Sequence, residues 1–360
     1  MNMPHQYIDR ETAEIRTEKL YGDRLINLIY NHGRERMSAL FRALTSARTS
    51  SLLGFINFDS LLSTKIGSVE RFLASTGIDL GECVENPLHL DTPRKIFERK
   101  IRYWRLRPMP MDAGVIVSPA DSKVLFGSFD RDSLLFIKDK FFRFDEMLGA
   151  NSGWRNVFAG GSFAVFRLTP EKYHYNHNPV SGQVVDFYGV DGDYHSCNPG
   201  AIVRMVTPHS KNKRYVTLIN TDVPGGSNVG LVAMIEVVAL MIGEVEQCYS
   251  PFHYDSPRPV SKGLFINKGQ PKSLFKPGSS TTVLFFQSGR IRFDGELIAN
   301  MGRVGVSSRF SSGFNRSLAE TDIKVRSAIG RALPVSDLPF AGSSQVNLFS
   351  NTTTTTEVLP

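Results

Sequence analysis

Three side chains of the sequence could together activate a hydroxyl group. Asp121 follows a Ser-Pro-Ala segment, His177 ends a His-Tyr-Asn-His segment, and Ser279 follows a Pro-Gly dipeptide. A carboxylate that orients an imidazole, which then deprotonates a serine, makes the serine oxygen nucleophilic. Each residue also has an ordinary structural role, since aspartate and serine suit turns and a histidine suits a buried hydrogen bond. The three residues alone do not decide between catalysis and structure.

The surroundings of Ser279 suit an attack on the peptide bond that precedes it. The Pro-Gly dipeptide is a turn signal, and the run Thr-Thr-Val-Leu-Phe-Phe at 281–286 is typical of a buried strand. Gly278 allows backbone angles that other residues avoid and exposes its carbonyl to close approach. A serine at this point could attack the Gly278 carbonyl. On these residues alone, a Pro-Gly-Ser-Ser hairpin turn is the simpler interpretation.

Composition places the chain among globular proteins and narrows its partners. The 360 residues suffice for one large or two ordinary domains, and the formal net charge of +7 favours anionic partners such as acidic lipid or nucleic acid. The few cysteines show no metal-ligand spacing and indicate a reducing compartment. The polar N-terminus predicts no signal peptide, and the apolar window 229–245 is too short and too interrupted to span a bilayer. We therefore expect a cytoplasmic protein with, at most, peripheral membrane contact and no bound metal.

The elements that must position the candidate residues change along the chain. Apolar residues at helical spacing from 8 to about 107 predict a helical, basic N-terminal region, delimited as 1–107. Between 108 and 300, short β-rich runs separated by Gly, Pro, Asn and Asp predict a mainly antiparallel β domain. The polar extension 301–360 predicts one helix around 317–332 and a disordered tail. The expected fold class is α+β, with the candidate serine inside the β domain.

One basic segment has two interpretations. From 93 to 108, seven Lys and Arg residues accompany Phe97, Ile101 and Trp104, which repeat at helical spacing. A basic amphipathic helix with aromatic residues is typical of a membrane surface. A helix that packs its apolar face on its own domain explains the pattern equally well. Nucleic acid is not expected as a partner, because no nucleic-acid-binding motif accompanies the charge.

Five segments give the candidate residues a common context. In chain order they are SPAD at 118–121, LTPEKYHYNHNPVSG at 168–182, NPGAI at 198–202, KNKRYV at 211–216 and KGQPKSLFKPGSSTTVLFF at 268–286. Their order and spacing resemble those of the phosphatidylserine decarboxylase proenzymes, over roughly residues 108 to 297. The self-cleaving motif of that family is commonly Leu-Gly-Ser-Thr. Gly278, Ser279 and Ser280 resemble a known variant in which Ser280 takes the Thr position.

The resemblance implies a first stage in which the chain cuts itself. His177, oriented by Asp121, would take the proton of Ser279. The serine oxygen would attack the carbonyl of Gly278 and convert the peptide bond to an ester. Elimination and hydrolysis would then split the chain, release ammonia and leave a pyruvoyl group derived from Ser279. The fragments 1–278 and 279–360 would remain together as a heterodimer, and homo-oligomers are left open.

The resemblance also implies a second stage, in which the pyruvoyl group is the only cofactor. Its ketone would form a Schiff base with the substrate's amine and accept the electrons released as carbon dioxide leaves. His174 matches the family histidine of the decarboxylation step and would protonate the product carbanion.

The implied substrate is phosphatidylserine, converted to phosphatidylethanolamine and carbon dioxide. The basic segments favour this substrate, because the lipid is anionic and lies in a surface. Departures at Ser122, Ser181 and Val238, where the family commonly has Gly, Asp and Gly, weaken the inference about the substrate pocket. A pyruvoyl-dependent decarboxylase of a soluble amino acid is therefore an alternative, and a non-catalytic membrane-binding β domain is a second one. A serine hydrolase is disfavoured, because no nucleophile-elbow motif surrounds Ser279.

Overall fold

The computed structural model describes residues 3–20, 68–131, 141–149, 153–204, 208–239, 244–278 and 280–334. The strands in these ranges are β1 (Gln6–Asp9), β2 (Ile15–Thr17), β3 (Val115–Val117), β4 (Ser122–Ser128), β5 (Ser162–Leu168), β6 (Tyr175–His177), β7 (Gly182–Val190), β8 (Arg214–Asn220), β9 (Leu231–Val238), β10 (Val245–Gln247), β11 (Phe265–Ile266), β12 (Pro271–Phe275), β13 (Ser280–Phe286), β14 (Ile291–Phe293), β15 (Glu320–Ile323) and β16 (Ala328–Ala332). The α-helices are α1 (Ser68–Thr76), α2 (Pro93–Phe97), α3 (Tyr103–Leu106), α4 (Phe144–Met147), α5 (Arg155–Phe158), α6 (Pro199–Arg204), α7 (Pro208–Lys211), α8 (Gly295–Met301) and α9 (Arg309–Phe314). The 3-10 helices Leu80–Glu82 and Pro87–His89 lie between α1 and α2.

A ten-stranded sheet forms the centre of the molecule. Its strand order is β11-β7-β8-β9-β13-β5-β4-β15-β1-β2. Neighbouring strands are antiparallel, except for β1 and β15, which are parallel. β13 lies in the middle, between β5 and β9, and all seven of its residues are buried. Its β-branched and aromatic residues suit a strand that is covered on both faces.

A second sheet carries the histidine segment. Its strand order is β10-β12-β6, and β6 contains His177. β12 pairs with β6 on one side and continues through residues 276–278 into β13 of the central sheet. The chain therefore passes from the strand beside the histidines directly into the predicted cleavage segment. A third sheet, β14-β16-β3, closes the other end of the molecule.

The predicted N-terminal helical region is not confirmed where the structure describes it. β1 and β2 lie where the sequence predicts the beginning of the helical region, and they extend the central sheet. α1 is the longest helix of the described part of this region, with nine residues. Most of the predicted helical repeat falls in 21–67, outside the described residues. β1 pairs in parallel with β15, from the other end of the chain, and no local sequence pattern signals such a partner.

The basic segment from 93 to 107 forms two short helices instead of one amphipathic helix. Thr92 caps the start of α2, but the helix ends one turn later at Phe97. The N–H and carbonyl of Ile101 both bond to the Tyr254 hydroxyl, at 3.1 and 3.0 Å, so a tertiary contact takes the place of helical hydrogen bonds. Phe97 and Ile101 are fully buried. At these positions the segment packs on its own protein.

The helix predicted around 317–332 is wrong, since β15 and β16 occupy this region. β15 lies between β1 and β4, and β16 lies between β14 and β3. The apolar residues Leu318, Ile323 and Ile329 are buried, but Ile323 lies in β15, Ile329 lies in β16 and Leu318 precedes β15, so they do not share one helix face. The hydrogen bonds to these neighbouring strands outweigh a weak local helical pattern. The predicted disordered tail falls in 335–360, outside the described residues.

The prediction of a largely antiparallel β fold is confirmed. The described residues form a mixed α/β structure with large antiparallel sheets and few helices. The apolar window 229–245 contains β9 and the first residue of β10, in line with the expected core strands. Within the described part of the chain, no helix is both long and apolar enough to cross a bilayer. The domain boundaries after residues 107 and 300 stay predictions.

Candidate active site

The two histidines of the 168–182 segment lie beside the chain that leads to Gly278. Both imidazoles are fully buried. In the pairing of β6 with β12, His177 faces Pro271, and the N–H of Phe275 donates to the carbonyl of His174 at 3.1 Å. The structure thus brings both predicted histidines to the strand that precedes the cleavage segment.

Gly278 and Ser280 lie on either side of the predicted cleavage position. Gly278 has a φ of 151°, a conformation that side-chain-bearing residues rarely adopt, as the sequence predicts. Ser280 pairs with Leu168 on one side and with Val238 on the other. The hydroxyl of Ser280 is buried and has no hydrogen-bond partner among the described residues. Ser279 lies outside the described residues, so its role stays a prediction.

His177 is held by hydrogen bonds at both ring nitrogens. Its Nδ1 lies 2.9 Å from the carbonyl oxygen of Gly269, and its Nε2 lies 2.9 Å from the hydroxyl of Tyr173. A carbonyl oxygen only accepts, so Nδ1 carries the proton and Nε2 accepts from the tyrosine. Burial lowers the pKa of His177 to about 3. The ring is therefore neutral at physiological pH, the form a general base needs.

Asp121 is engaged by other partners. Its carboxylate accepts from Nη2 of Arg107 at 2.9 Å and from the N–H of Val325 at 2.7 Å. Burial acts to raise the pKa of Asp121, but the charge and hydrogen bonds of Arg107 with the Val325 N–H hold it below the ordinary value. Arg107 also binds Glu82, at 2.9 Å. The structure buries Asp121 near the histidines without joining it to His177 by a hydrogen bond, and the orienting role of Asp121 stays a prediction.

His174 is held by ring packing. Its imidazole stacks on the ring of Phe97, with the centroids 3.6 Å apart and the planes 26° from parallel. Neither ring nitrogen has a hydrogen-bond partner among the described residues. Burial, followed by the charge of Arg99, lowers the pKa of His174 well below its ordinary value. The ring is therefore neutral at physiological pH.

Two tyrosines and the basic segment contribute contacts that the sequence analysis misses. The hydroxyl of Tyr173 lies 2.6 Å from that of Tyr254, and burial raises the pKa of Tyr173 well above its ordinary value. Tyr173 adjoins His174 in the sequence, which is a signal that could have identified it. Phe97 and Arg107 lie in the segment whose charge points to a membrane, and only the fold shows their contacts with the site.

A cleft of about 400 Å³ opens beside these groups. Its volume is in the range of small-molecule sites. Five of the residues that line it also lie near the histidines: Arg99, Arg107, Asp121, Lys172 and Tyr173. Neither His174 nor His177 lines the cleft, and its acidic and basic side chains pair with one another, as Arg107 does with Asp121 and Lys172 with Asp322.

A group of potential metal ligands lies away from the histidines. His5, Glu18 and Glu320 have ligand atoms within 4.8 Å of one another. The guanidinium of Arg167 contacts both carboxylates, at 2.6 Å for Glu18 and 2.5 Å for Glu320. Because a cation already neutralises the two acids, we assign no metal to this group.

Comparison with known proteins places these features in a family. The family model described as phosphatidylserine decarboxylase matches residues 94–310. A phosphatidylserine decarboxylase proenzyme of Ruminiclostridium cellulolyticum is 30% identical over 295 residues, which cover 81% of this chain and 91% of that protein. Proteins of the same name are 27% identical in Clostridium tetani (82% of this chain, 93% of that protein) and 29% identical in Chlamydia trachomatis serovar L2 (81% and 90%). The chain therefore belongs to the phosphatidylserine decarboxylase family, whose members are carboxy-lyases.

Proposed function

We propose that the chain cleaves itself between Gly278 and Ser279 and then converts phosphatidylserine to phosphatidylethanolamine and carbon dioxide. The observation that carries the proposal is the family match over residues 94–310, which includes both buried histidines and the cleavage segment. The similar proteins are named proenzymes, a word for a precursor that is processed. The neutral, buried histidines beside the cleavage segment support the same conclusion.

His177 is the proposed base of self-cleavage. Its Nε2 carries the lone pair that would accept the proton of Ser279. In the present arrangement that lone pair accepts from Tyr173, so the serine hydroxyl must replace the tyrosine hydroxyl. The bond from Nδ1 to the Gly269 carbonyl keeps the ring in the required tautomer. Gly278 is buried at φ 151° and has no side chain that would block attack of the serine oxygen on its carbonyl.

The pyruvoyl group would stand at position 279, at the entrance of β13. The described residues fit it, because Ser280 anchors the new chain end between two strands. When formed, the group supplies an electrophilic carbonyl that accepts the electrons released as carbon dioxide leaves. β13 pairs with β5 and β9, and β15 pairs with β1 and β4. The fragments 1–278 and 279–360 should therefore stay together after the cut.

His174 is the proposed proton carrier of decarboxylation. The amine of phosphatidylserine arrives protonated and must lose a proton before it can react. Neutral His174 can take this proton and return it to the carbon from which carbon dioxide departs. The histidine thus takes up one proton, gives it to carbon and ends neutral, and the released amine takes one proton from solvent, so each turnover consumes one proton. This use requires a histidine that starts without a proton, which its burial favours.

A patch around α3 is the proposed site of peripheral membrane contact. Trp104 stacks on His253, with ring centroids 3.7 Å apart, and the neighbouring Phe252 is 61% exposed. Arg105 is exposed on the same short helix. Aromatic and basic side chains together favour an anionic lipid surface. Arg105→Gln should weaken binding to phosphatidylserine vesicles by about 1 kcal/mol, without changing self-cleavage.

Intact-mass analysis of the purified protein tests the first stage. The expected masses are those of residues 1–278 and of 279–360 with a pyruvoyl group in place of Ser279. Ser279→Ala should remain one chain and serve as the matched control. A wild-type chain that stays in one piece, or a short fragment that begins with an ordinary serine, would contradict the proposal.

Carbon dioxide release from labelled substrates tests the second stage. Vesicles that contain phosphatidylserine should be decarboxylated by the processed protein and not by Ser279→Ala. Free serine and other amino acids, offered without vesicles, should give no release. Turnover of a soluble amino acid in the absence of lipid would instead support the alternative substrate class.

A further inference from the structure

We propose that the turn at residues 97–99 is a positioning element for His174 in the decarboxylation step. Phe97 fixes the plane of the imidazole, and Arg99 ties the turn to the chain that carries the histidine. The inference rests on the proposed function and concerns only its second stage. It gives the basic segment a task inside the site, separate from any membrane contact.

Phe97 is the closest described constraint on the orientation of the His174 ring. The two rings are fully buried and stacked at 3.6 Å between centroids. By distance and angle, neither imidazole nitrogen has a hydrogen-bond partner among the described residues, and the polar group beside the ring is the backbone of Lys172. His177 differs, because two hydrogen bonds fix its ring. The plane of His174 therefore depends on packing, and its stacked partner is Phe97.

Arg99 anchors this turn. Its Nη1 donates to the carbonyl of Ile96 at 3.1 Å, and its Nη2 donates to the carbonyl of Glu171 at 3.0 Å. The second bond reaches the chain three residues before His174. Arg99 is 5% exposed and forms no ion pair with a carboxylate of the described residues. The guanidinium thus joins the two segments through backbone carbonyls, and the carboxylates of Asp121 and Glu82 act on its charge without contacting it directly.

The charge of Arg99 has a chemical consequence for His174. A buried cation disfavours a second positive charge nearby, and Arg99 reinforces the effect of burial in lowering the pKa of His174. The backbone of Lys172 and, more weakly, the charge of Asp121 act in the opposite direction. The ring therefore starts neutral and can accept the proton of the incoming amine. The turn contributes both the orientation of the proton carrier and its starting state.

Phe97→Leu tests the orientation, because it removes the aromatic ring and keeps an apolar side chain. We expect complete self-cleavage, a kcat on phosphatidylserine vesicles lowered about tenfold or more per pyruvoyl group, and a KM within about twofold. Phe126→Leu is the matched control, since Phe126 is equally buried but packs against Phe293 in the main core. This control should keep kcat within about twofold. Equal kcat values in the two variants, or a parallel loss of self-cleavage and turnover in Phe97→Leu, would overturn the proposal.

A second measurement uses the unprocessed Ser279→Ala chain and needs no decarboxylation. The imidazole proton signals of His174 should be shifted upfield by the Phe97 ring and should move downfield in Phe97→Leu. Arg99→Gln should raise the pKa of His174 in an NMR titration, with Arg16→Gln, an exposed arginine paired with Asp9, as the control. Unchanged signals and an unchanged pKa would overturn the proposal. A wild-type protein without decarboxylase activity but with these NMR shifts would refute the proposed function alone.

Discussion

His174 and His177 lie three residues apart and are both fully buried, yet different forces hold them. His177 has a hydrogen bond at each ring nitrogen, to Gly269 and to Tyr173. His174 has a stacked ring and no hydrogen bond from the described residues. Burial leaves both rings neutral. Neutrality is thus shared, and the difference lies in how each ring is oriented.

The difference matches two tasks. A base that acts once, on a neighbouring part of its own chain, can be fixed by hydrogen bonds that define its tautomer. A proton carrier for a substrate that comes and goes must leave its nitrogens free for that substrate. Stacking on Phe97 orients His174 without occupying either nitrogen. The arrangement predicts that the two stages of the reaction can be separated by mutation.

His177→Ala should have the largest effect. Without the base, self-cleavage should slow by about 10²- to 10⁴-fold, and activity should be lost with it. Gel electrophoresis over time, combined with intact mass, measures the remaining full-length chain. Normal splitting in this variant would remove the distinction between the two histidines, because His177 would then have no task in the first stage.

His174→Ala should separate the stages. We expect splitting to proceed largely as in the wild type, and turnover of phosphatidylserine per pyruvoyl group to fall by about 10²- to 10⁴-fold. Intact mass gives the pyruvoyl content, and carbon dioxide release gives the turnover. An equal loss of both steps would show that the two rings act as one unit.

The fold shows which structural features the sequence could and could not predict. Turn signals and short β-rich runs are local, so the largely antiparallel fold follows from the sequence. β1 and β15 pair from opposite ends of the chain, with Tyr7 facing Glu320, and local spacing contains no record of such a partner. The N-terminal helical region is therefore not confirmed at its beginning, and the helix predicted around 317–332 is wrong.

In the candidate site, too, local features can be predicted from the sequence and contacts between distant segments cannot. The histidine segment and Gly278 can be found from their neighbours in the sequence and from the resemblance to a family. The stack of Phe97 on His174 and the ion pair of Arg107 with Asp121 join segments that meet only after folding. From the sequence, a membrane-surface helix and packing on the protein itself explain the basic segment equally well. Its burial beside His174 is a tertiary property.

Asp121→Asn tests whether self-cleavage needs Asp121 in direct contact with His177. In the structure Asp121 binds Arg107 and Val325, so its removal should lower the free energy of unfolding by about 2 kcal/mol and slow splitting. The folded-state pKa of Asp121 lies below its ordinary value, so its stabilising effect is complete above about pH 4. The effect is lost as the pH falls through the folded-state pKa. The stability difference from the wild type should therefore narrow in acid.

Glu82→Gln is the control for Asp121→Asn, because it weakens the other carboxylate contact of Arg107. Both variants should be compared by denaturant unfolding in the Ser279→Ala background, which keeps the chain in one piece. Splitting that stops in Asp121→Asn without any loss of stability would mean that Asp121 acts on His177 directly. In that case a carboxylate, in addition to the two hydrogen bonds, would orient His177 and not His174.

Acid stability tests the property that the two histidines share. An unfolded histidine titrates near pH 6.5, whereas burial lowers the pKa of folded His177 to about 3. Arg326 and Arg107 act in the same direction as burial, and the Gly269 carbonyl and Asp121 oppose it. Between these two pH values the unfolded state binds a proton that the folded state does not. Each such histidine should therefore make the free energy of unfolding fall by about 1.4 kcal/mol per pH unit of acidification. In the Ser279→Ala background, His177→Asn should lower the number of protons that the chain takes up on unfolding by one, which reduces the slope by about 1.4 kcal/mol per pH unit. An unchanged slope would show that His177 is protonated in the folded chain.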